Sequence, residues 1–249
     1  LDEVLVRATR VGEKAPFTQS NVTKSEIEER NLGQDIPVLL NFLPNVVTTS
    51  DAGNGIGYTG IRVRGSDASR VNVTINGIPL NDSESHGTFW VNLPDFASST
   101  QSMQLQRGVG SSTNGAGAFG ASLSLSTNGI RERAFAELGF SGGSYNSLKA
   151  NIQFGSGILN TSGKFKAEFT GRISTIQSDG YIDRGSSDLK SVYLSASFFS
   201  ENTLIKAIAF GGHEVTYQSW YGIDKETLET DRTYNPAGEI YDDQGNLAG

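Results

Sequence analysis

The sequence predicts a β-rich chain in two parts: a small mixed α+β domain with short helices, then a meander of antiparallel strands. Three observations carry this. Up to about residue 127, short apolar runs of mixed period are divided by Gly, Pro and Asn. Beyond it, runs of similar length alternate apolar and polar residues with a period of two, which gives every strand one apolar and one strongly polar face. Only 36% of the 249 residues are hydrophobic, against roughly 45–50% in an ordinary globular chain. Aromatic and β-branched residues nevertheless recur throughout, which argues for an architecture with a second, wet face rather than for disorder.

Taken in order, SNVTKSEIEERN within residues 18–31 offers Ser25 as the cap of a short helix carrying Glu26, Glu28 and Glu29 in its first turn. DIPVLLNFL (35–43) opens on an N-cap candidate, has Pro37 two residues later and stops before Pro44, so it predicts a second short helix. GNGIG (53–57) reads as a loop. Residues 61–64, 71–75 and 103–107 alternate as strands, and Asn76-Gly77 is a hairpin turn signal. Residues 135–140, 148–154, 165–173, 192–198 and 204–210 form the meander. In LKANIQF, Leu148, Ala150, Ile152 and Phe154 face one side while Lys149, Asn151 and Gln153 face the other. In KFKAEFTGRI, Phe165, Phe169 and Ile173 oppose Lys166, Glu168 and Arg172. GGSYN (142–146), LNTSG (159–163), DRGSSD (183–188) and SEN (200–202) supply the turns, and the last ~30 residues read as one long loop. Two architectures fit this pattern. One is a soluble β-sandwich with one face in water; the other is a transmembrane barrel with apolar faces to lipid and polar faces to a wet lumen.

Several function classes are excluded. A formal net charge of −7 with no compensating Lys/Arg cluster argues against nucleic acid. The absence of Cys rules out a disulfide framework and Cys-ligated zinc. No run of about 18 apolar residues is present, so no transmembrane helix is predicted, which says nothing of transmembrane strands. No charged-then-apolar leader opens the chain, so any signal peptide is expected to have been removed or never included. Two His, no G-x-S-x-G and no framed carboxylate pair leave no nucleophile and base for an enzyme. Gly115, Gly117 and Gly120 spell G-x-G-x-x-G. They lead into SLSLS, a strand where a dinucleotide site needs a helix, and no P-loop lysine precedes them. These glycines point instead to a tight turn or a close backbone approach.

Four segments in register carry a family resemblance. IRVRGSDASRVNVTINGIPLND (61–82) and MQLQRGVGSSTNGAGAFGASLSLST (103–127) resemble the two signature stretches of the plug domain of TonB-dependent outer-membrane receptors. DIPVLLNFLPNV (35–46) is similar to the segment that precedes them, and LDEVLVRATR (1–10) resembles the TonB box and the strand following it. Asn76 stands where the family usually has Asp, Asn45 where it has Gly, and Ala121 where it has the second glycine of a pair; Asn also accepts positive φ. The resemblance implies a plug at residues 1–127, with the TonB-box-like Asp2, Glu3, Val4, Leu5 and Val6, and the first strands of a β-barrel at 128–249. It implies nutrient import rather than catalysis, in the bacterial outer membrane. The implied partners are outer-membrane lipid, a TonB-type energy-transducing protein of the inner membrane, and a small-molecule ligand such as a metal chelate; no cofactor is implied. The alternative is a secreted β-rich adhesin or carbohydrate-binding module.

By position, the family's ligand-facing apical loops fall on Ser66, Asp67 and Ser69 and on Asn81, Asp82, Glu84, His86, Phe89 and Trp90. Phe89 and Trp90 offer contact area to a bulky chelate, or else pack the domain's own core. Asp82, Glu84 and His86 alternate in a pattern that can ligate a metal, but no second His lies near in sequence, and no metal site is assigned. Arg62, Arg64 and Arg107 resemble plug arginines that pair with wall carboxylates, for which Glu137 and Glu168 are candidates. The roughly five strands in view cannot close around such a plug, so the sequence is expected to be a piece of a longer receptor.

Overall fold

The computed structural model describes residues 10, 12, 16–109, 117–161 and 163–246. Its N-terminal domain begins with strand β1 (Gln19–Thr23) and helix α1 (Lys24–Arg30). Thr23, not Ser25, caps that helix. Thr23 Oγ1 accepts from the Glu26 N–H at 3.4 Å, and Glu26 accepts in return from the Thr23 N–H at 2.8 Å. This reciprocal frame pairs Thr23 with Glu26, and Ser25 already lies inside the helix as its second residue. Helix α2 is a single turn (Ile36–Leu39) with Asp35 at its N-cap and Pro37 inside its first turn. The Asp35 side chain makes no capping bond.

Strands β2 (Val46–Ser50) and β3 (Thr59–Val63) form a hairpin whose loop spans residues 51–58. Strands β4 (Val71–Ile75) and β5 (Ile78–Pro79) turn at Asn76 (φ 50°) and Gly77 (φ 81°), the paired positive values that a tight two-residue hairpin requires. Strands β6 (Thr100–Arg107) and β7 (Ala121–Thr127) complete a five-stranded sheet of order β1-β6-β7-β4-β5, in which only the β4–β7 pair is parallel. One face of it (Val22, Met103, Leu105, Leu123, Leu125) joins Ile27, Leu40 and Val63 in the core. Gly120 answers the question the glycine motif raised. A Cβ there would lie 2.7 Å from the Arg70 carbonyl oxygen, so the glycine permits a close backbone approach.

The second assembly is an open antiparallel wall of order β13-β12-β11-β9-β8, with a short β10 also pairing with β11. Its strands are β8 (Phe135–Gly142), β9 (Leu148–Gly155), β10 (Leu159–Asn160), β11 (Lys166–Ser178), β12 (Ser187–Phe199) and β13 (Leu204–Thr216). Helix α3 (Lys225–Thr230) follows. The last three wall strands have 13 residues each, more than the ~9–11 that a tilted strand needs to cross a bilayer.

Burial in the wall is inverted relative to a soluble sheet. The charged side is the hidden one: Lys149, Glu168 and Arg172 are 5%, 2% and 1% exposed against the N-terminal domain. Leu138, Phe140, Ile173 and Leu194 on the opposite face are between 52% and 75% exposed. A sandwich buries its apolar faces, so that architecture fails here, and the wall is the start of a transmembrane barrel.

Candidate functional site: the seam between domain and wall

The N-terminal domain is locked to the wall by one buried charge cluster. A 3₁₀ turn at Phe96–Ser99 places Asp95 in the left-handed region (φ 47°), which Asp tolerates better than most residues. Lys149 Nζ donates to Asp95 Oδ1 at 2.9 Å, and to Asn31 Oδ1 and Ser98 Oγ at the same distance. Arg172 donates to the other oxygen of Asp95, to Ser99 Oγ and to Ser174 Oγ. Burial by itself would push the Asp95 carboxyl up, but Lys149 and Arg172 overcome it and hold the group below the usual carboxylate range.

This lock runs opposite to the expected polarity, since the domain supplies the acid and the wall the bases. Arg107 bonds within its own domain, donating to the Pro44 carbonyl (2.9 Å) and to Ser20 Oγ (2.6 Å). Among the described residues Arg62 and Arg64 are exposed and enter no ion pair. The candidate wall carboxylates are engaged elsewhere, Glu137 with Arg131 and Glu168 with the Thr170 hydroxyl.

A second seam lies where the 51–58 loop meets the 179–186 and 217–246 connections. Asn54 Nδ2 donates to the Gly185 carbonyl (2.9 Å) and to Ser187 Oγ (2.8 Å), and Ser219 Oγ donates to the Asp51 carbonyl (2.8 Å). Gly57 (φ 94°) packs so tightly that a Cβ would meet Thr216 Cγ2 at 2.7 Å and Glu214 Oε1 at 2.8 Å. Asp35 lies on the domain side of this contact and accepts from Thr59 Oγ1 at 2.8 Å. Burial pushes its carboxyl up to about 8, the Thr59 bond opposes that, and the nearby Glu214 adds to it.

Between the 51–58 loop and the β8–β9 turn opens a cavity of about 280 Å³, bordered by Gln34, Asn54, Ile56, Tyr145, Ile176 and Tyr181. Tyr145 and Tyr181 meet edge to face with centroids 5.5 Å apart. Gln34 Oε1 is buried without a hydrogen-bond partner among the described residues, an acceptor that a guest molecule would satisfy. The cavity therefore lines up two phenol rings, amide groups and an open acceptor, groups that can contact and hydrogen-bond a small molecule.

The loop residues singled out in the sequence sit elsewhere on the domain, and none borders this cavity. Asp67 caps a 3₁₀ turn through the Ser69 N–H (3.0 Å), and Ser66 packs beside Gly120. Asn81 ties its own loop together, accepting from the Val73 N–H (2.7 Å) and donating to the His86 carbonyl (2.8 Å). Asp82 Oδ1 accepts from the Glu84 N–H (3.1 Å) and the Ser85 N–H (2.7 Å). The aromatic pair is split, with Phe89 49% exposed and Trp90 3% exposed in the core. Asp2, Glu3, Val4, Leu5, Val6 and Gly115 lie outside the described residues. No group of three or more His, Cys, Asp or Glu suited to a metal occurs among the described residues.

Residues 12–122 match the family model of the TonB-dependent Receptor Plug Domain. That segment is similar to the plug of TonB-dependent receptors. The fold of the whole chain is likewise that of such receptors. It resembles the ferripyoverdine receptor of the outer membrane of Pseudomonas aeruginosa, with a TM-score of 0.63, 14% identity, and coverage of 97% of this chain and 30% of that one. A ferric enterobactin receptor from Pseudomonas aeruginosa gives a TM-score of 0.62 at 14% identity, covering 90% of this chain and 37% of that one. The siderophore receptor PirA from Acinetobacter baumannii gives 0.59 at 16% identity, covering 81% and 32%. The chain thus spans about a third of the length of the receptors it resembles. No curated protein matches it by sequence. The solved structures that share its fold are receptors, and the ferripyoverdine receptor among them is one of the outer membrane.

Proposed function

We propose that this chain is the plug and first barrel strands of a receptor that imports a scarce small molecule, such as a metal chelate, powered through a TonB-type protein of the inner membrane. The observation that carries the reading is the inverted wall: an apolar outer face, and an inner face whose Lys149 and Arg172 close on the plug's Asp95. We place the domain boundary at residues 127/128, after the last plug strand. The 156–165 connection and the 200–203 turn lie at one end of the wall, and the 143–147, 179–186 and 217–246 segments, the last the longest, lie at the other. Barrels of this kind carry short turns inside the cell and longer loops outside, so the cavity faces the outside and is the plug-side part of the ligand site. The loops at 66–69 and 81–90, with Phe89 as the exposed aromatic, are further plug contacts, and Asp2 to Val6 is the handle that the inner-membrane protein pairs with.

The test uses the full-length receptor and a panel of ferric chelates, haem, cobalamin and oligosaccharides, read by equilibrium binding. One class should bind. The Tyr145→Ala/Tyr181→Ala variant should bind it about thirtyfold more weakly, since each lost ring removes on the order of 1 kcal/mol of contact. Unchanged affinity removes the cavity from the site, and no binding of any class by the wild type overturns the uptake reading.

A further inference from the structure

The cavity between the 51–58 loop and the β8–β9 turn carries no charge of its own. Among the described residues, no Asp, Glu, Lys, Arg or His borders it. Its open polar groups include the buried acceptor Gln34 Oε1 and the phenol hydroxyls of Tyr145 and Tyr181, which bond to no described residue. The Asn54 side chain is already engaged, its Nδ2 with the Gly185 carbonyl and Ser187 Oγ and its Oδ1 with the Ile56 N–H (3.1 Å). Ser147 and Ser178 bond to each other at 2.8 Å. A buried acceptor left open requires an O–H or N–H from its guest, which an oxyanion does not carry.

We propose that this cavity selects an uncharged, hydroxyl-bearing ring, the end residue of a neutral oligosaccharide, and that Gln34 sets the selection. The inference rests on the reading of the cavity as part of the ligand site, and it narrows the ligand. Two costs decide against a charged guest. A cation seated here would lose its water with no carboxylate to replace it. An anion would face the Gln34 acceptor, and on the same end of the wall the 217–246 segment sets seven acidic residues against two basic ones. A sugar ring meets neither cost. Its hydroxyls donate to Gln34 and to the phenol oxygens, and its apolar C–H side lies on the electron-rich face of an aromatic ring. The volume, about 280 Å³, is just under the roughly 300 Å³ of the smallest pockets that enclose a drug-sized ligand, so it seats one end and leaves the rest outside. A second aromatic pair stands close by. Trp220 and Tyr221 are exposed and meet edge to face with centroids 6.4 Å apart. Ser219 beside them is tied to the Asp51 carbonyl, two residues from Gly53 on the cavity's border. The outer sugar residues find aromatic surface there.

The experiment titrates the full-length receptor in detergent micelles by calorimetry. The probes are neutral gluco-, xylo- and manno-oligosaccharides, a galacturonate oligosaccharide, a ferric tris-catecholate, haem, cobalamin and spermidine. A neutral oligosaccharide should bind, and the charged probes should not. Gln34→Leu keeps most of the bulk and removes the acceptor, so it should weaken that binding about tenfold. Tyr145→Phe/Tyr181→Phe keeps both rings and removes both hydroxyls, so it must weaken binding roughly three- to tenfold even if Gln34→Leu does not assemble. Oligosaccharide binding that is unchanged in these variants overturns the cavity as its seat. A galacturonate chain bound as tightly as the neutral ones overturns the selection by charge, and so does a catecholate or spermidine whose affinity falls in Tyr145→Ala/Tyr181→Ala. A receptor that binds another class and no oligosaccharide overturns the inference and leaves the uptake reading standing. No binding of any probe overturns the uptake reading itself.

Discussion

Two buried aspartates of the plug, 60 positions apart in the sequence, are driven in opposite directions by their neighbours. Asp95 faces two wall cations and stays ionised; Asp35 faces Thr59 and, across Gly57, another carboxyl, and keeps its proton. Replacing Asp95 by Asn preserves shape but leaves Lys149 and Arg172 buried without the carboxylate that both pair with. Breaking a buried pair in this way costs about 3–5 kcal/mol, so D95N should lower the stability of the full receptor in denaturant by that order, and a loss under about 1 kcal/mol would show that the lock is slack. Asp35 gives a pH signature instead. Its folded value, about 8, lies above the 3.8 of an unfolded Asp. Between those values the folded chain keeps a proton that the unfolded chain releases, so stability falls as pH rises, by at most about 1.4 kcal/mol per pH unit. Thermal unfolding of D35N from pH 4 to 8 should show a flatter decline than the wild type and higher stability at pH 8; parallel profiles would remove Asp35 from the linkage.

At the scale of elements, period and punctuation carried most of the architecture. Both short helices, the Asn76-Gly77 hairpin and all five long wall strands lie where alternation and turn residues place them, because those signals are local. The strands extend beyond their apolar runs, β12 from Ser187 and β13 to Thr216, since the serines and threonines at their ends face a polar interior and leave no hydrophobic trace. The β2–β3 hairpin was half legible. Residues 61–64 alternate, whereas VVTTS at 46–50 has no period to read. The seam was the least legible part. Lys149 and Arg172 stand on the polar faces that the pattern defines, but nothing local pairs them with Asp95, 54 and 77 residues away. Tyr145 lies in a turn and Tyr181 beyond a strand end, and only the docking of the 51–58 loop brings them together around Gln34. Trp90 shows the converse: an aromatic beside a polar loop reads equally as ligand contact or core, and tertiary packing put it in the core.

At the scale of the molecule, the inversion of the wall makes a claim about its solvent. β8 and β13 end an open sheet whose exposed face carries Leu138, Phe140, Ile173, Val192, Leu194 and Ile205. In water such a face would be an aggregation surface; against lipid it is the surface that holds the strand in place, and its tolerance of charge depends on depth. Ile173 lies near the middle of β11 and Val215 one residue from the end of β13. In the full receptor reconstituted in lipid vesicles, Ile173→Lys should cost about 2–4 kcal/mol of folding stability, while Val215→Lys should cost no more than about 1 kcal/mol. A soluble sheet predicts the reverse of this gradient or none, since a lysine on an exposed face in water is nearly neutral at either position. Equal and small effects at both sites would therefore mean that this face meets water or protein, and the plug would then be held by a wall that does not span the membrane.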